Sequence, residues 1–309
     1  MTPHEGRTYV VTGADSGIGA LTASTLRRHG ARVIRCGLGP DVDVRADLGD
    51  DEGRDLLVAE VSRLAPGGID GLALVAGVGT STTETVRVNY FGTLAVLAGL
   101  RASLRKKPSP RVVVVSSAAS LSAGDDDVIG ACLRGEEESA IAAAERLIAT
   151  GRGGVLYRCS KIALNRWVRQ SAAGEDWAGT GVVLNVIAPG IVETDSAGTT
   201  LSTDSPPDPA RSSAQSSVQD SARDRVLSTA LPQPLGFPGP VQAIADAISW
   251  MISEENSFMA GQIVFVDGGA DATLRSDKPY ADGVRYGPVA TSRMLFWALK
   301  ARMGPWRRS

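Results

Sequence analysis

Cysteine, histidine and lysine are scarce in this chain, and each scarcity excludes something. Three cysteines (Cys36, Cys132, Cys159) and two histidines (His4, His29) are scattered singly. Neither a disulfide framework nor a metal site is therefore expected. The 32 basic residues are 27 arginines and only five lysines, set against 34 acids for a net charge of -2. A chain so near neutrality lacks the basic face of a dedicated nucleic-acid binder, so no nucleic acid is expected as a partner. No apolar run approaches the ~18 residues that a membrane span requires. An apolar strand begins within nine residues of Met1, which leaves no room for a signal peptide, and a cytoplasmic protein is expected. What the 309 residues do have is 43% hydrophobic side chains and 35 glycines, enough for a large buried core with many tight turns.

Short runs rich in β-branched residues alternate with helix-like stretches. The strand-like runs are Tyr9–Thr12, Arg32–Arg35, Leu72–Val75, Arg111–Val115, Val182–Ile187 and Gln262–Val266. Near-continuous apolar strands fit a parallel sheet buried on both faces. Helical periodicity falls over 18–29, 50–65, 84–104, 160–173 and 240–253. The alternation predicts an α/β fold: a Rossmann-type doubly wound parallel sheet, in a single domain over 7–270. Two stretches break the rhythm. Residues 121–154 read as a helical insertion whose alanine-rich helix runs from about Glu136 to Ile148. Residues 199–225 are rich in Ser, Pro and Asp, and read as a flexible surface loop, either a tolerated insertion or a substrate lid. A C-terminal extension follows over 271–309.

The first strand runs into Thr12-Gly13-Ala14-Asp15-Ser16-Gly17-Ile18-Gly19 and then a helix. Glycines there permit a tight turn and close approach of backbone to a pyrophosphate, which the free N–H groups of the helix N-terminus attract. The spacing G-x-x-x-G-x-G in this strand-then-helix context points to a dinucleotide. Tyr157 and Lys161 stand four apart and share one helix face. A free phenol near pKa ~10 is a poor acid/base at neutral pH, and lowering it by about three units takes roughly 4 kcal/mol. A neighbouring ammonium together with a positively charged cofactor ring is expected to supply that. Arginine is the default cation of this composition, so a lysine at 161 is itself informative: it offers a compact donor to a ribose.

These residues resemble the short-chain dehydrogenase/reductase family, whose pattern is T-G-x-x-x-G-x-G. The resemblance continues through Asp47-Leu48, Ala76-Gly77, Val88-Asn89-Tyr90-Phe91-Gly92, Val115-Ser116-Ser117, Tyr157-x-x-x-Lys161, Ala188-Pro189-Gly190 with Thr194, and Val266-Asp267-Gly268-Gly269. It implies an enzyme with four catalytic residues. Ser117, the second of its serine pair, would hold the substrate oxygen and Tyr157 would act as general acid/base. Lys161 would serve tyrosine and ribose, and Asn89 would hold a water that passes protons to Lys161. Cofactor contacts are expected from Gly13, Asp15, Ser16, Gly17, Ile18, Gly19, Gly37, Asp47, Leu48, Ala76, Gly77, Tyr157, Lys161, Pro189, Gly190 and Thr194.

Family members commonly keep serine and tyrosine about a dozen residues apart, whereas here the insertion separates Ser117 from Tyr157. That departure resembles the bacterial branch of 3α-hydroxysteroid dehydrogenase/carbonyl reductase and, with it, coniferyl-alcohol dehydrogenases. The branch implies a homodimer, because its insert covers a surface that other members use for tetramers. The expected activity is NAD(P)-dependent interconversion of a secondary alcohol and a ketone on a small hydrophobic substrate. Dihydrodiol or aromatic allylic alcohol oxidation stays open, and from another class a non-catalytic dinucleotide sensor, which should have lost Tyr157 or Lys161. The cofactor is ambiguous at the second strand. Gly37 stands where NAD users carry an acid and Leu38 where NADP users carry a base. Arg35 could reach a 2′-phosphate, while Asp15 would repel one. The balance favours NAD(H), with NADP(H) left open. The tail over 290–309, with five bases and no acid, reads as a basic amphipathic helix. It is expected to pack on a partner subunit or across the cleft, with membrane-surface contact as the alternative.

Overall fold

The computed structural model describes residues 3–193, 225–281 and 287–302. Seven parallel strands make one sheet in the order β3-β2-β1-β4-β5-β6-β7: β1 Thr8–Thr12, β2 Arg32–Gly37, β3 Val44–Arg45, β4 Gly71–Leu74, β5 Arg111–Val115, β6 Val183–Pro189 and β7 Ile263–Val266. The β-branched runs form strands because both faces are covered. Along β5, Val112 and Val114 enter one core while Val113 and Val115 enter the other. That alternation is what a pleated strand between two helical layers requires. Helices α1 (Gly17–Arg28) and α7 (Val241–Met251) cover one face through Leu26, Ile244 and Ile248. The other face is covered by α2 (Asp51–Leu64), α3 (residues 84–104) and α6 (Leu156–Ser171), through Leu57, Leu97 and Leu164.

Helix α3 runs unbroken from Glu84–Val86 through Arg87–Gly92 to Thr93–Leu104, and its middle section is π-helical. Such a bulge is a feature that periodicity alone does not announce, and it falls on Asn89. The two-residue β3 is likewise too short to read from sequence.

The insertion contains two helices where one was expected. Asp125, first of three aspartates in a row, is the N-cap of α4 (Asp126–Arg134), its carboxylate accepting from Asp127 N and Val128 N. Gly135 then turns the chain at φ 74° into α5 (Glu137–Ala149), a left-handed conformation that glycine adopts without strain. The insert is part of the main core: Val128, Ile129, Ala144 and Leu147 pack in the same cluster as Tyr90 and Leu164. The buried Arg54 guanidinium fixes it to α2 by a two-pronged bond to Glu137, 2.8 and 2.9 Å long. Paired planar geometry of this kind gives the strongest side-chain hydrogen bonds.

The chain forms two compact units, Met1–Asp271 and Ala272–Ser309. Helix α8 (Ala270–Arg275) begins at the end of the first. In the second, α9 (Pro288–Arg302) carries Met294, Leu295, Phe296 and Trp297 in succession, all exposed. Four consecutive residues at 3.6 per turn surround a helix, so the expected amphipathic stripe is corrected: the apolar side chains are distributed around α9. No helix among the described residues is long and apolar enough to cross a membrane. Residues 199–224 of the predicted loop lie outside the described residues, and Arg225 opens a helical turn over 225–230.

Candidate active site

The carboxyl edge of an open parallel sheet, at the point where strand order reverses, is where such folds bind ligands. Here that point lies between β1 and β4, and a cavity of about 460 Å³ opens over it. On one side is the glycine loop. Gly13 adopts φ 62°, and a Cβ there would come within 2.9 Å of Ala76 Cα; a Cβ on Gly19 would stand 2.0 Å from the Gly13 carbonyl oxygen. The glycines let α1 begin directly against β1 and β4. The first turn of α1 has no acidic residue, and its N-cap Ser16 makes no capping bond, so the N–H groups of the first turn are left to the cavity. Uncapped amides with the positive end of a helix dipole suit a pyrophosphate. The chain thus fits a dinucleotide. Thr12 Oγ1 accepts from Val75 N at 3.0 Å and Ala76 N at 3.1 Å, which ties the Ala76-Gly77 turn to the same loop.

On the other side stand Ser117, Tyr157 and Lys161, all lining the cavity. Ser117 leaves β5 in an extended conformation, its Oγ accepting from Ala119 N at 3.1 Å, and lines the cavity with Tyr157. Its neighbour Ser116 is buried and donates instead to the Lys161 carbonyl at 3.3 Å. Alternation along the strand end thus separates the two serines, and Ser117 is the one that meets Tyr157. Burial pushes the Tyr157 phenol up, and the neighbouring Ser117 hydroxyl opposes it. The expected depression of that pKa is not produced by these side chains alone. Lys161 is itself buried, which brings it down to about 8, and its Nζ donates to the Val115 carbonyl at 2.9 Å while standing 5.6 Å from the Tyr157 ring centre.

Asn89 does not line the cavity; it lies behind the wall, fully buried. Its Oδ1 accepts from Val78 N at 2.8 Å, and its Nδ2 donates to Val78 O at 2.9 Å and Ser160 Oγ at 3.2 Å. A Cβ on Gly77 would stand 3.1 Å from Asn89 Oδ1 and 3.4 Å from Lys161 Nζ, so the glycine gives the pair their space. Of the residues expected to contact the cofactor, Gly13, Asp15, Ser16, Gly17, Ile18, Gly19, Gly37, Asp47, Leu48, Ala76, Gly77, Pro189 and Gly190 line the cavity. Thr194 lies outside the described residues. Arg35 is not in the lining: Asp43 accepts from its backbone N and stands 3.6 Å from its Nε.

Sequence reading missed the apolar mouth. Val78, Ala119, Ile191, Val192, Leu227 and Leu231 line it. The available signal was the four-residue spacing of Leu227 and Leu231, which a helical turn brings to one face; Leu231 N donates to Leu227 O at 2.8 Å. Gln233, also missed, pins the return of the chain. Its side chain bonds Ile191 N, Ile191 O and Gly236 O. Among the described residues no group of three or more His, Cys, Asp or Glu is placed to hold a metal.

Known proteins resemble this chain. Residues 7–126 match the family model for short chain dehydrogenases, and 139–271 match the model described as enoyl-(acyl carrier protein) reductase. The 3-alpha-hydroxysteroid dehydrogenase/carbonyl reductase of Comamonas testosteroni is 34% identical over 271 residues, 86% of this chain and 97% of that protein. Coniferyl-alcohol dehydrogenase of Pseudomonas sp. (strain HR199 / DSM 7063) is 44% identical over 119 residues, 35% of this chain and 43% of its own. The solved 3-alpha-hydroxysteroid dehydrogenase from Pseudomonas sp. B-0831, complexed with NADH, has a TM-score of 0.73 at 35% identity and covers 87% of this chain and 98% of that one. With the glycine loop, the serine–tyrosine–lysine wall and a relative matched over nearly its whole length, the chain is an NAD(P)-dependent oxidoreductase of the short-chain dehydrogenase/reductase family.

Proposed function

We propose that the enzyme interconverts a secondary alcohol and a ketone on a small hydrophobic substrate, with Tyr157 as general acid/base and NAD(H) as cofactor. The observation that carries this reading is that Ser117, Tyr157 and the buried Lys161 line one cavity together with the glycine loop. When bound, the dinucleotide supplies or removes the hydride. The protein's own part is to hold the reacting oxygen and move its proton. Ser117, fixed by Ala119 N, donates to the substrate oxygen and stabilises negative charge developing there. Tyr157 gives that oxygen its proton in the reducing direction and removes it in the oxidising one. Lys161 serves Tyr157 and the ribose. Asn89, its Nδ2 taken up by Val78 O and Ser160 Oγ, sets the turn that follows Gly77 through Val78 N and keeps a second acceptor lone pair on Oδ1 for a proton-relay water.

Two features support NAD(H). Among the described residues, the lining around Gly37, Leu38, Asp47 and Leu48 contains no arginine or lysine, and Arg35 is engaged by Asp43. A 2′-phosphate would there meet carboxylate without a counter-charge. The apolar mouth supports a hydroxysteroid-like substrate, and the 44% identity to a coniferyl-alcohol dehydrogenase keeps an aromatic allylic alcohol as the second reading. A panel of hydroxysteroids, aromatic alcohols and their carbonyl forms, followed at the nicotinamide absorbance band with NADH and NADPH, tests both. The expected result is turnover of a hydrophobic alcohol with NAD and none after Tyr157→Phe. Residual turnover in that variant above one part in a hundred would remove Tyr157 from the mechanism. The insert packed over α3 and α6 supports a homodimer, to be read by light scattering.

A further inference from the structure

The acid that dinucleotide folds use against the adenosine ribose is missing from the end of β2, where Gly37 stands. A carboxylate nevertheless occupies that place, and it comes from the glycine loop. Asp15 reaches across from β1 so that a Cβ built on Gly37 would stand 2.7 Å from its Oδ1. The volume of a side chain at 37 is therefore already filled by Asp15. The carboxylate is also held. Its Oδ2 accepts from Leu38 N at 3.1 Å and Gly39 N at 2.9 Å, two amides of the turn that leaves β2. Gly39 is matched to it as well, since a Cβ there would lie 3.0 Å from Asp15 Cβ. Oδ1 receives no hydrogen bond among the described residues, and Asp15 lines the cavity beside Gly37 and Leu38.

We propose that Asp15 is the residue that selects NAD(H) over NADP(H) in this enzyme, with Gly37 and Gly39 as the space that lets its carboxylate stand where other chains place one from β2. The assignment rests on the NAD(H) reading above. One oxygen is fixed by backbone amides, which leaves the other available at the cavity to a ligand's donors. A carboxylate oxygen there accepts from the diol of NAD(H), a charge-assisted bond, and opposes the dianionic 2′-phosphate of NADP(H). Because the acid and its receiving glycines lie on different elements, they form one unit. Gly37→Asp on its own is expected to push two carboxylates into one volume, weakening binding of either dinucleotide.

Binding without turnover gives the test. Calorimetric titration of the full chain with ADP-ribose and with its 2′-phosphate, alongside NADH and NADPH, reads the adenosine end directly. Wild type should prefer the unphosphorylated member of each pair. Asp15→Asn keeps an oxygen for Leu38 N and Gly39 N but removes the charge, and should cut that preference at least tenfold, mostly through tighter binding of the phosphorylated ligands. The double variant Asp15→Ala/Gly37→Asp should bring the preference back, because the acid returns from β2. Thermal midpoints of all variants report folding separately, and a misfolded Asp15→Asn leaves the double variant to decide. An unchanged preference in Asp15→Asn, or no recovery in a folded double variant, overturns the assignment of Asp15 while leaving NAD(H) intact. Wild type binding 2′-phospho-ADP-ribose more tightly than ADP-ribose overturns the NAD(H) reading itself, and with it the role of Asp15.

Discussion

The two edges of the sheet use their polar groups in opposite ways. At the amino edge, His4 bonds Tyr9 Oη at 2.8 Å through Nδ1 and Ser249 Oγ at 2.9 Å through Nε2. Beside it, Asp70 accepts from Thr8 N at 2.8 Å and meets both Arg7 and Lys107, while Arg7 also bonds Glu254 and Ser109 O. Apart from Arg7 Nε, which is buried without a partner, these groups satisfy one another. At the carboxyl edge, the phenol of Tyr157 faces a cavity, Lys161 is buried beside it and Asp15 leaves one oxygen without a donor. Mutual satisfaction stabilises a fold, whereas groups left available for a ligand are held at a cost in stability. The amino edge should thus tolerate changes in activity assays and not in melting experiments, and the carboxyl edge the reverse.

The largest expected effect is on turnover. Tyr157→Phe should lower kcat by about 10³-fold or more, equivalent to roughly 4 kcal/mol, with the thermal midpoint and NADH affinity nearly unchanged. A loss of stability of similar size would erase the contrast between the edges.

Next comes the acid response of the amino edge. Burial, followed by the neighbouring His29 and Arg7, lowers His4 to about 4 from an ordinary value of 6.5. The folded-state pKa lies below the unfolded one, so the unfolded chain takes up the proton first. The contribution is complete above about pH 6.5, declines as pH falls toward about 4, and is level below that, up to ~3 kcal/mol in all. Urea denaturation at pH 7 and pH 4.5 should show wild type losing more stability than His4→Gln. Equal slopes would mean that His4 is not held neutral.

Lys161 works in the opposite sense for the fold. Its folded pKa of about 8 lies below 10.5, so burying the charged form destabilises the protein at neutral pH, and the penalty lifts as pH rises from about 8 to 10.5. Lys161→Met should therefore abolish activity and raise stability at pH 7 by about 1–2 kcal/mol, less than the full shift because the Val115 carbonyl loses its donor. A destabilised methionine variant would show that this lysine supports the fold after all.

The smallest effect sharpens the same contrast between two tyrosines. Tyr9→Phe removes the partner of His4 Nδ1 and should lower stability by about 1 kcal/mol, with kcat unchanged. Measured beside Tyr157→Phe, it sets one hydroxyl that holds the fold against one that faces a reacting oxygen.

Much of this architecture is legible because double-sided burial writes itself into composition. Six of the seven strands appear as β-branched runs, and the glycine loop declares itself by spacing in the context of strand and helix. The pairing of Tyr157 with Lys161 follows from helical periodicity. Local competition hides the rest. Asp125-Asp126-Asp127 resembles a loop because aspartate favours turns, yet the same property makes Asp125 a helix cap. The π-helical turn at Asn89 depends on contacts from the Val78 turn and Ser160, neither of which is near it in sequence.

The sequence by itself determined the order of strands and helices and the covering of both sheet faces, because these depend on periodicity and residue type along the chain, and its family resemblance named the candidate reactive side chains. Only the tertiary structure decided which polar groups face one another. Ser117 meets Tyr157 while Ser116 turns to the Lys161 carbonyl, and Arg35 is drawn to Asp43. Asp15 comes to fill the place left by Gly37, because the parallel pairing of β1 with β2 sets their ends side by side. Such meetings depend on which way each side chain leaves its element, and only the packed chain fixes that direction.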